Sequence, residues 1–143
     1  MRKKEQTLDG FRYTTPYQVR ISDINYGNHV ANSAVLNFFQ DARIRYLNQL
    51  GKFSELDIGG CGIILPEANV KYKAEMFLAD ELVIGVRISA QGRSSVTMEY
   101  RIERDDTVTA EGTTTLIAFD YNARKPRRLP QPFKDAINAF ERV

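Results

Sequence analysis

A single cysteine, a single histidine and no tryptophan stand among the 143 residues of this chain. Cys61 alone cannot close an internal disulfide, and one thiol with one imidazole is too few for a zinc site. No acidic triplet has the spacing of a calcium loop. No apolar run approaches the roughly 20 residues that a spanning helix needs, so no membrane insertion is expected. The start MRKKEQTLDG is basic but has no apolar segment behind it, and so does not read as a secretory signal. With one thiol, a reducing cytoplasm is the expected setting. The formal net charge of +2 is too small to argue for nucleic-acid binding. There is no repeat, low-complexity tract or linker, which leaves a single domain over residues 1–143 as the expectation.

What is present is hydrophobic patterning. In FRYTTPYQVRIS, Tyr17, Val19 and Ile21 alternate with Gln18 and Arg20, the period of a half-buried strand. The turn DINYGN follows. Then NSAVLNFFQDARIRYLNQLGK sets Val35, Phe39, Ala42, Tyr46 and Leu50 on one helical stripe, flanked by Leu36 and Leu47. Asn32 or Ser33 is expected to cap that helix, and Gly51 to close it. CGIILPEANVKYKAEM reads as a long strand with Pro66 at an edge or bulge. DELVIGVRISAQ and SSVTMEYRIER form a hairpin, TVTAEGTTTLIAFDY is a further strand after the turn Asp105–Asp106, and QPFKDAINAFERV is a terminal helix. The order predicts an α+β fold, an antiparallel sheet with one long central helix laid on it. Too few helices remain to cover a second face, so pairing with another copy is expected.

The chemistry concentrates in RISDINYGNHVANSAVLNFFQDAR, residues 20–43. His29 lies on a turn at the mouth of the helix, where free backbone N–H groups favour anions and can hold an oxyanion. Asp23, Asn25, Asn28 and Asn32 surround it in sequence; they read equally as capping and turn residues. Asp41 is either a surface ion-pair partner of Arg45 four residues on, or a carboxylate that activates water. Arg43, at the edge of the apolar stripe, can pack its stem and hold a neighbouring loop with its fork. Arg124, Lys125, Arg127 and Arg128 form a basic run that is a solvated face or a phosphate-binding strip. Cys61 counts as a small buried hydrophobe. Phe38, Ile63, Ile64, Leu65 and Tyr26 are candidate pocket linings or core.

The run VRISDINYGNHVANSAVLNFFQDARIRYL resembles the first strand, turn and central helix of hot-dog-fold acyl-CoA thioesterases of the 4-hydroxybenzoyl-CoA thioesterase-like group. The matching pieces are DIN, YGNHVAN and QDAR; NVKYKAEMFLADELVI and FDYNARKPRRLPQPF extend the likeness over nearly the whole chain. The resemblance implies a curved antiparallel sheet wrapped around one long helix, assembled as a homodimer or homotetramer. It implies hydrolysis of an acyl-CoA between subunits, near the helix N-terminus, with no metal or redox cofactor and with coenzyme A present only as part of the substrate. Asp23, Asn25, His29 and Asp41 are then the catalytic candidates. Tyr26, Val30, Asn32 and Ile64 are candidate substrate contacts, and Arg124, Lys125 and Arg127 would meet the coenzyme A phosphates.

Two positions depart from the family pattern. Asn25 stands where the second aspartate of the Asp-x-Asp turn is usual, and an amide neither attacks nor takes a proton as a carboxylate does. Gly27 replaces the asparagine of an Asn-x-His motif. Asp23 would compensate if the segment stays extended, since residues two apart share a side; Asp41 is the other source of a carboxylate. The Asn25 substitution leaves a second expectation open, a protein that binds acyl-CoA without cleaving it. A hydratase or dehydratase on the same fold is a third.

Overall fold

The computed structural model describes residues 8–142. The strands are β1 (Tyr13–Gln18), β2 (Gly62–Tyr72), β3 (Glu81–Gln91), β4 (Ser95–Arg104), β5 (Thr107–Asp120) and the short β6 (Lys125–Pro126); the helices are α1 (Asn32–Gly51) and α2 (Gln131–Glu141). The sheet runs β1-β3-β4-β5-β2, with β6 also paired to β5, and every pairing is antiparallel. This is the hot-dog architecture expected from the sequence. The β1 and β2 strands are its edges.

Helix α1 lies across one face and buries Val35, Phe38, Phe39, Ala42, Tyr46 and Leu47 among the inward residues of the strands. Phe39 stacks on Tyr100 of β4 with ring centroids 4.4 Å apart. That approach needs Gly112 on β5, where a Cβ would fall 2.5 Å from Phe39 Cε2 and 2.4 Å from the carbonyl of Asn69. Tyr46 meets Tyr13 and Phe140 edge-on, and Phe53 meets Phe133, so α2 seals the far end of the core. Large side chains buried in this way contribute about 1.5–3 kcal/mol each.

Three local expectations need correction. The first strand stops at Gln18, and Ile21 is not on a buried face but exposed in a single 3-10 turn, Ile21–Asp23. Neither Asn32 nor Ser33 caps α1: the cap position is Ala31 and no side chain closes the helix start. At the other end Gly51 is the last helical residue, and Lys52 takes the left-handed conformation (φ 60°) that a glycine was expected to occupy. The strand bulge was legible: the register of β2 on β5 shifts between Ile64 and Glu67, around Pro66. So was the β4–β5 hairpin, with Asp105 and Asp106 both at positive φ.

Candidate active site

The segment from Arg20 to Ala31 folds as a stack of tight turns against the start of α1. Asp23 does not lie in extended chain. Its carboxylate accepts the Tyr17 phenol at 2.7 Å and the Arg20 amide at 2.9 Å, and its carbonyl accepts the Ala31 amide at 2.9 Å. Burial, then the hydrogen bond to Asp23, pushes the Tyr17 phenol up to about 12. Asn25 turns its side-chain oxygen back to the Gly27 amide at 2.9 Å, while its own amide donates to the His29 carbonyl at 3.0 Å. The amide side chain therefore organises the turn that presents His29.

His29 is half-buried, and its Nδ1 lies 3.2 Å from the Val30 carbonyl. A carbonyl only accepts, so Nδ1 is the donor in this contact and Nε2 is the ring nitrogen left outside it. Gly27 leaves that nitrogen uncovered: a Cβ there would sit 3.0 Å from Nε2. No side chain caps the start of α1, three residues after His29, so its first amides have no capping side chain among the described residues. Tyr26 is fully exposed at the tip of the turn. Val30 is buried and bonds its amide to the Met76 carbonyl, a structural placement rather than an open contact. Asn32 is exposed at the first position of the helix, and its carbonyl accepts the Tyr72 phenol at 3.0 Å.

A cleft of 470 Å³ opens between α1 and β2. Leu36, Phe39, Ile63, Ile64 and Ala68 supply much of its wall, and Asn37, Gln40, Arg43, Glu55 and Thr114 its polar groups. Ile64 thus falls where a pocket residue was expected. Asp41 does not line this cleft; it lies on another face of α1 and pairs with Arg45 at 3.1 Å. Asn37 and Gln40 are the helix residues that sequence reasoning missed. Counting back from the buried Arg43 in steps of three reaches Gln40 and then Asn37.

Arg43 behaves as its position suggested. Its Nε donates to Glu55 in the loop after α1 at 2.7 Å and its Nη1 to the Tyr100 phenol at 3.0 Å. The phenol is in turn 2.7 Å from the Thr114 hydroxyl. Burial works against the Arg43 charge, but Tyr100 and Glu55 outweigh it and its pKa is raised. Burial likewise raises the Tyr100 phenol. Cys61 is buried, as expected, and burial pushes its thiol up.

Arg124, Lys125 and Arg127 occupy the exposed β5–β6 hairpin, whose turn is held by Asp120 Oδ1 accepting the amides of Asn122 and Ala123. This hairpin is not near His29 within one chain. Tyr72, at the end of β2, reaches the start of α1, whereas Gly62, at the beginning of β2, pairs with Phe119 beside the hairpin. The two features lie at opposite ends of a 20-residue helix, about 30 Å long. Among the described residues no group of three His, Cys, Asp or Glu is placed to hold a metal ion, and no helix is long and apolar enough to cross a membrane.

The antiparallel sheet with its long helix agrees with what comparison shows. Residues 19–137 match the family model of the thioesterase-like superfamily, and the chain belongs to that superfamily. Among solved structures, a thioesterase from Thermus thermophilus complexed with coenzyme A and Zn superposes with a TM-score of 0.81 at 27% identity, over 95% of this chain and 98% of that one. A 1,4-dihydroxy-2-naphthoyl-CoA thioesterase from Synechocystis gives 0.79 at 22%, covering 87% and 94%. A predicted thioesterase from Bacillus stearothermophilus gives 0.80 at 19%, covering 90% and 95%. The last two show the fold alone. No curated protein matches the sequence.

Proposed function

We propose that this protein hydrolyses an acyl-CoA thioester at a site near the start of α1, completed by a second copy of the chain. The observation that carries the reading is the His29 imidazole, with Nδ1 anchored on Val30 and Nε2 open beside an uncapped helix start. Nε2 takes a proton from water as the hydroxide attacks the carbonyl carbon. The oxyanion is met by amides of the first helical turn. The C–S bond then breaks, the imidazolium returns its proton to the departing thiolate, and the products are free acid and coenzyme A. The likeness to a coenzyme A-bound thioesterase supports that carrier.

Pairing through β2 supports the intersubunit site. The strand is an edge of the sheet, and Leu65 to Asn69 are exposed along it. Two β2 strands in antiparallel register set the beginning of one against the end of the other. That arrangement carries the partner copy's basic hairpin toward His29 and gives Arg124, Lys125 and Arg127 a role toward the phosphates.

A non-hydrolytic acyl-CoA binder is favoured by a different observation. Among the described residues Glu55 is the one carboxylate lining the cleft, and Arg43 already holds it; Asp23 is held by Tyr17 and Asp41 by Arg45. Thiol release from a panel of acyl-CoAs separates the two. Turnover that grows with enzyme concentration is expected. Saturable binding with no thiol released from any ester would replace the hydrolase by the binder.

A further inference from the structure

Following α1 inward from its open start, Leu36 comes about one turn along and Arg43 about two turns beyond it. Both line the cleft, so an acyl group whose thioester sits at the helix start has a path along the α1–β2 groove to the Arg43–Glu55 pair. We infer that this cleft selects an acyl group with an aliphatic body and a hydroxyl at its far end. The inference rests on the acyl-CoA reading above and names the class of substrate that the same site takes.

The walls argue for the aliphatic body. Leu36, Ile63, Ile64 and Ala68 are aliphatic, and Phe39, deep in the wall, is fully buried with a ring face already stacked on Tyr100. The other aromatic lining residue, Tyr121, meets Phe119 edge-on and commits its phenol to the Ile63 carbonyl at 2.7 Å. Both rings are therefore already engaged, whereas an aryl group favours an offset stack or an edge on a free ring.

The end of the cleft argues for the hydroxyl. Arg43 is 6% exposed, with Nε and Nη1 held by Glu55 and Tyr100. The guanidinium and carboxylate are 2.7 Å apart and their formal charges cancel. A carboxylate-ended chain would bring a second negative charge against Glu55. A methyl end would strip water from the pair and return no hydrogen bond, a cost the site bears in full. A hydroxyl accepts from the guanidinium and donates to the carboxylate, so it satisfies both without adding charge. Sites built to bond a hydroxyl reject the analogue that lacks it far more strongly than apolar pockets reject a methylene.

The test is kcat/KM on four coenzyme A esters: ω-hydroxyalkanoyl, the methyl-ended and carboxylate-ended chains of equal length, and a phenolic aryl ester. Wild type is expected to favour the ω-hydroxy ester over the methyl-ended one by at least about tenfold. Glu55→Gln removes the balancing charge and is expected to move the preference toward the carboxylate-ended ester, a switch that a merely structural ion pair would not produce. Wild type preferring the methyl-ended, carboxylate-ended or phenolic ester overturns the assignment, as does an unchanged ranking in Glu55→Gln. If no ester is cleaved, the hydrolase reading falls by itself. Calorimetric binding of the same four esters then decides the cleft: the ω-hydroxy ester binding tightest upholds the assignment, and equal binding overturns it.

Discussion

The phenol of Tyr17, at the end of β1, donates a 2.7 Å hydrogen bond to the carboxylate of Asp23 in the turn that leads to His29. Burial and that bond raise the phenol from 10.0 to about 12, so between those values the folded chain holds a proton that the unfolded chain has lost. The stabilisation is complete below the unfolded value and disappears as pH rises through the folded one. Tyr13, Tyr46 and Tyr100 are raised chiefly by burial and add in the same direction. Urea midpoints of the wild type are expected to fall steeply between pH 10 and 12, and less steeply in Tyr17→Phe. Equal slopes would detach Tyr17 from this linkage.

Tyr100 joins two elements through one oxygen, receiving Arg43 at 3.0 Å and lying 2.7 Å from Thr114. Tyr100→Phe keeps the ring that stacks on Phe39 and deletes the acceptor. Arg43 and Thr114 each lose a buried partner, which costs about 1–3 kcal/mol. Equilibrium urea unfolding at neutral pH measures it, and an unchanged midpoint would mean that water replaces the phenol.

Gly27 is the space over His29. A methyl group there would stand 3.0 Å from both Nε2 and Cδ2. Gly27→Ala is expected to lower turnover by about tenfold or more by crowding the base, up to the roughly 10²–10⁴ that losing a general base costs. The unfolding midpoint should stay close to wild type. Undiminished turnover would show that Nε2 is not the atom that meets water.

The β2 edge gives a prediction about assembly. Leu65 is 38% exposed on a strand whose outer side has no partner within the described residues of one chain. Wild type is expected to sediment at twice the chain mass, and Leu65→Lys to shift toward the monomer at micromolar concentration. A wild type that sediments as a monomer over the accessible range removes the shared site.

The sheet and the long helix were legible because their periods persist over many residues: 20 in α1 and 10 or more in each of β2, β3, β4 and β5. The helix ends were not. Asn32 and Ser33 are good capping types, yet Ala31 takes the cap because its amide is bound by the Asp23 carbonyl and the Val30 amide by Met76. Those partners are distant in sequence or hidden inside a turn. The site was legible in part. His29 and its turn stand out as candidates from local chemistry and from the family likeness. The setting of Asp23 was not legible, because β1 stops at Gln18 and the chain then turns through a short 3-10 segment instead of staying extended. Asp41 carried the right chemistry for a base on a different helix face from the cleft, and a choice between neighbouring residues on a helix amounts to a rotation of about 100°. The basic run is exposed, which suits either a solvated face or a phosphate-binding strip, but its distance from His29 follows from the sheet pairing and from nothing local.

The most direct test is steady-state turnover of His29→Ala beside wild type on the best acyl-CoA in a thiol-release assay, with unfolding midpoints recorded on the same samples. A fall of about 10²–10⁴ in kcat with an unchanged midpoint is the expected result. Turnover equal to wild type in a folded His29→Ala protein would contradict the role of this imidazole and move the chemistry elsewhere on the fold.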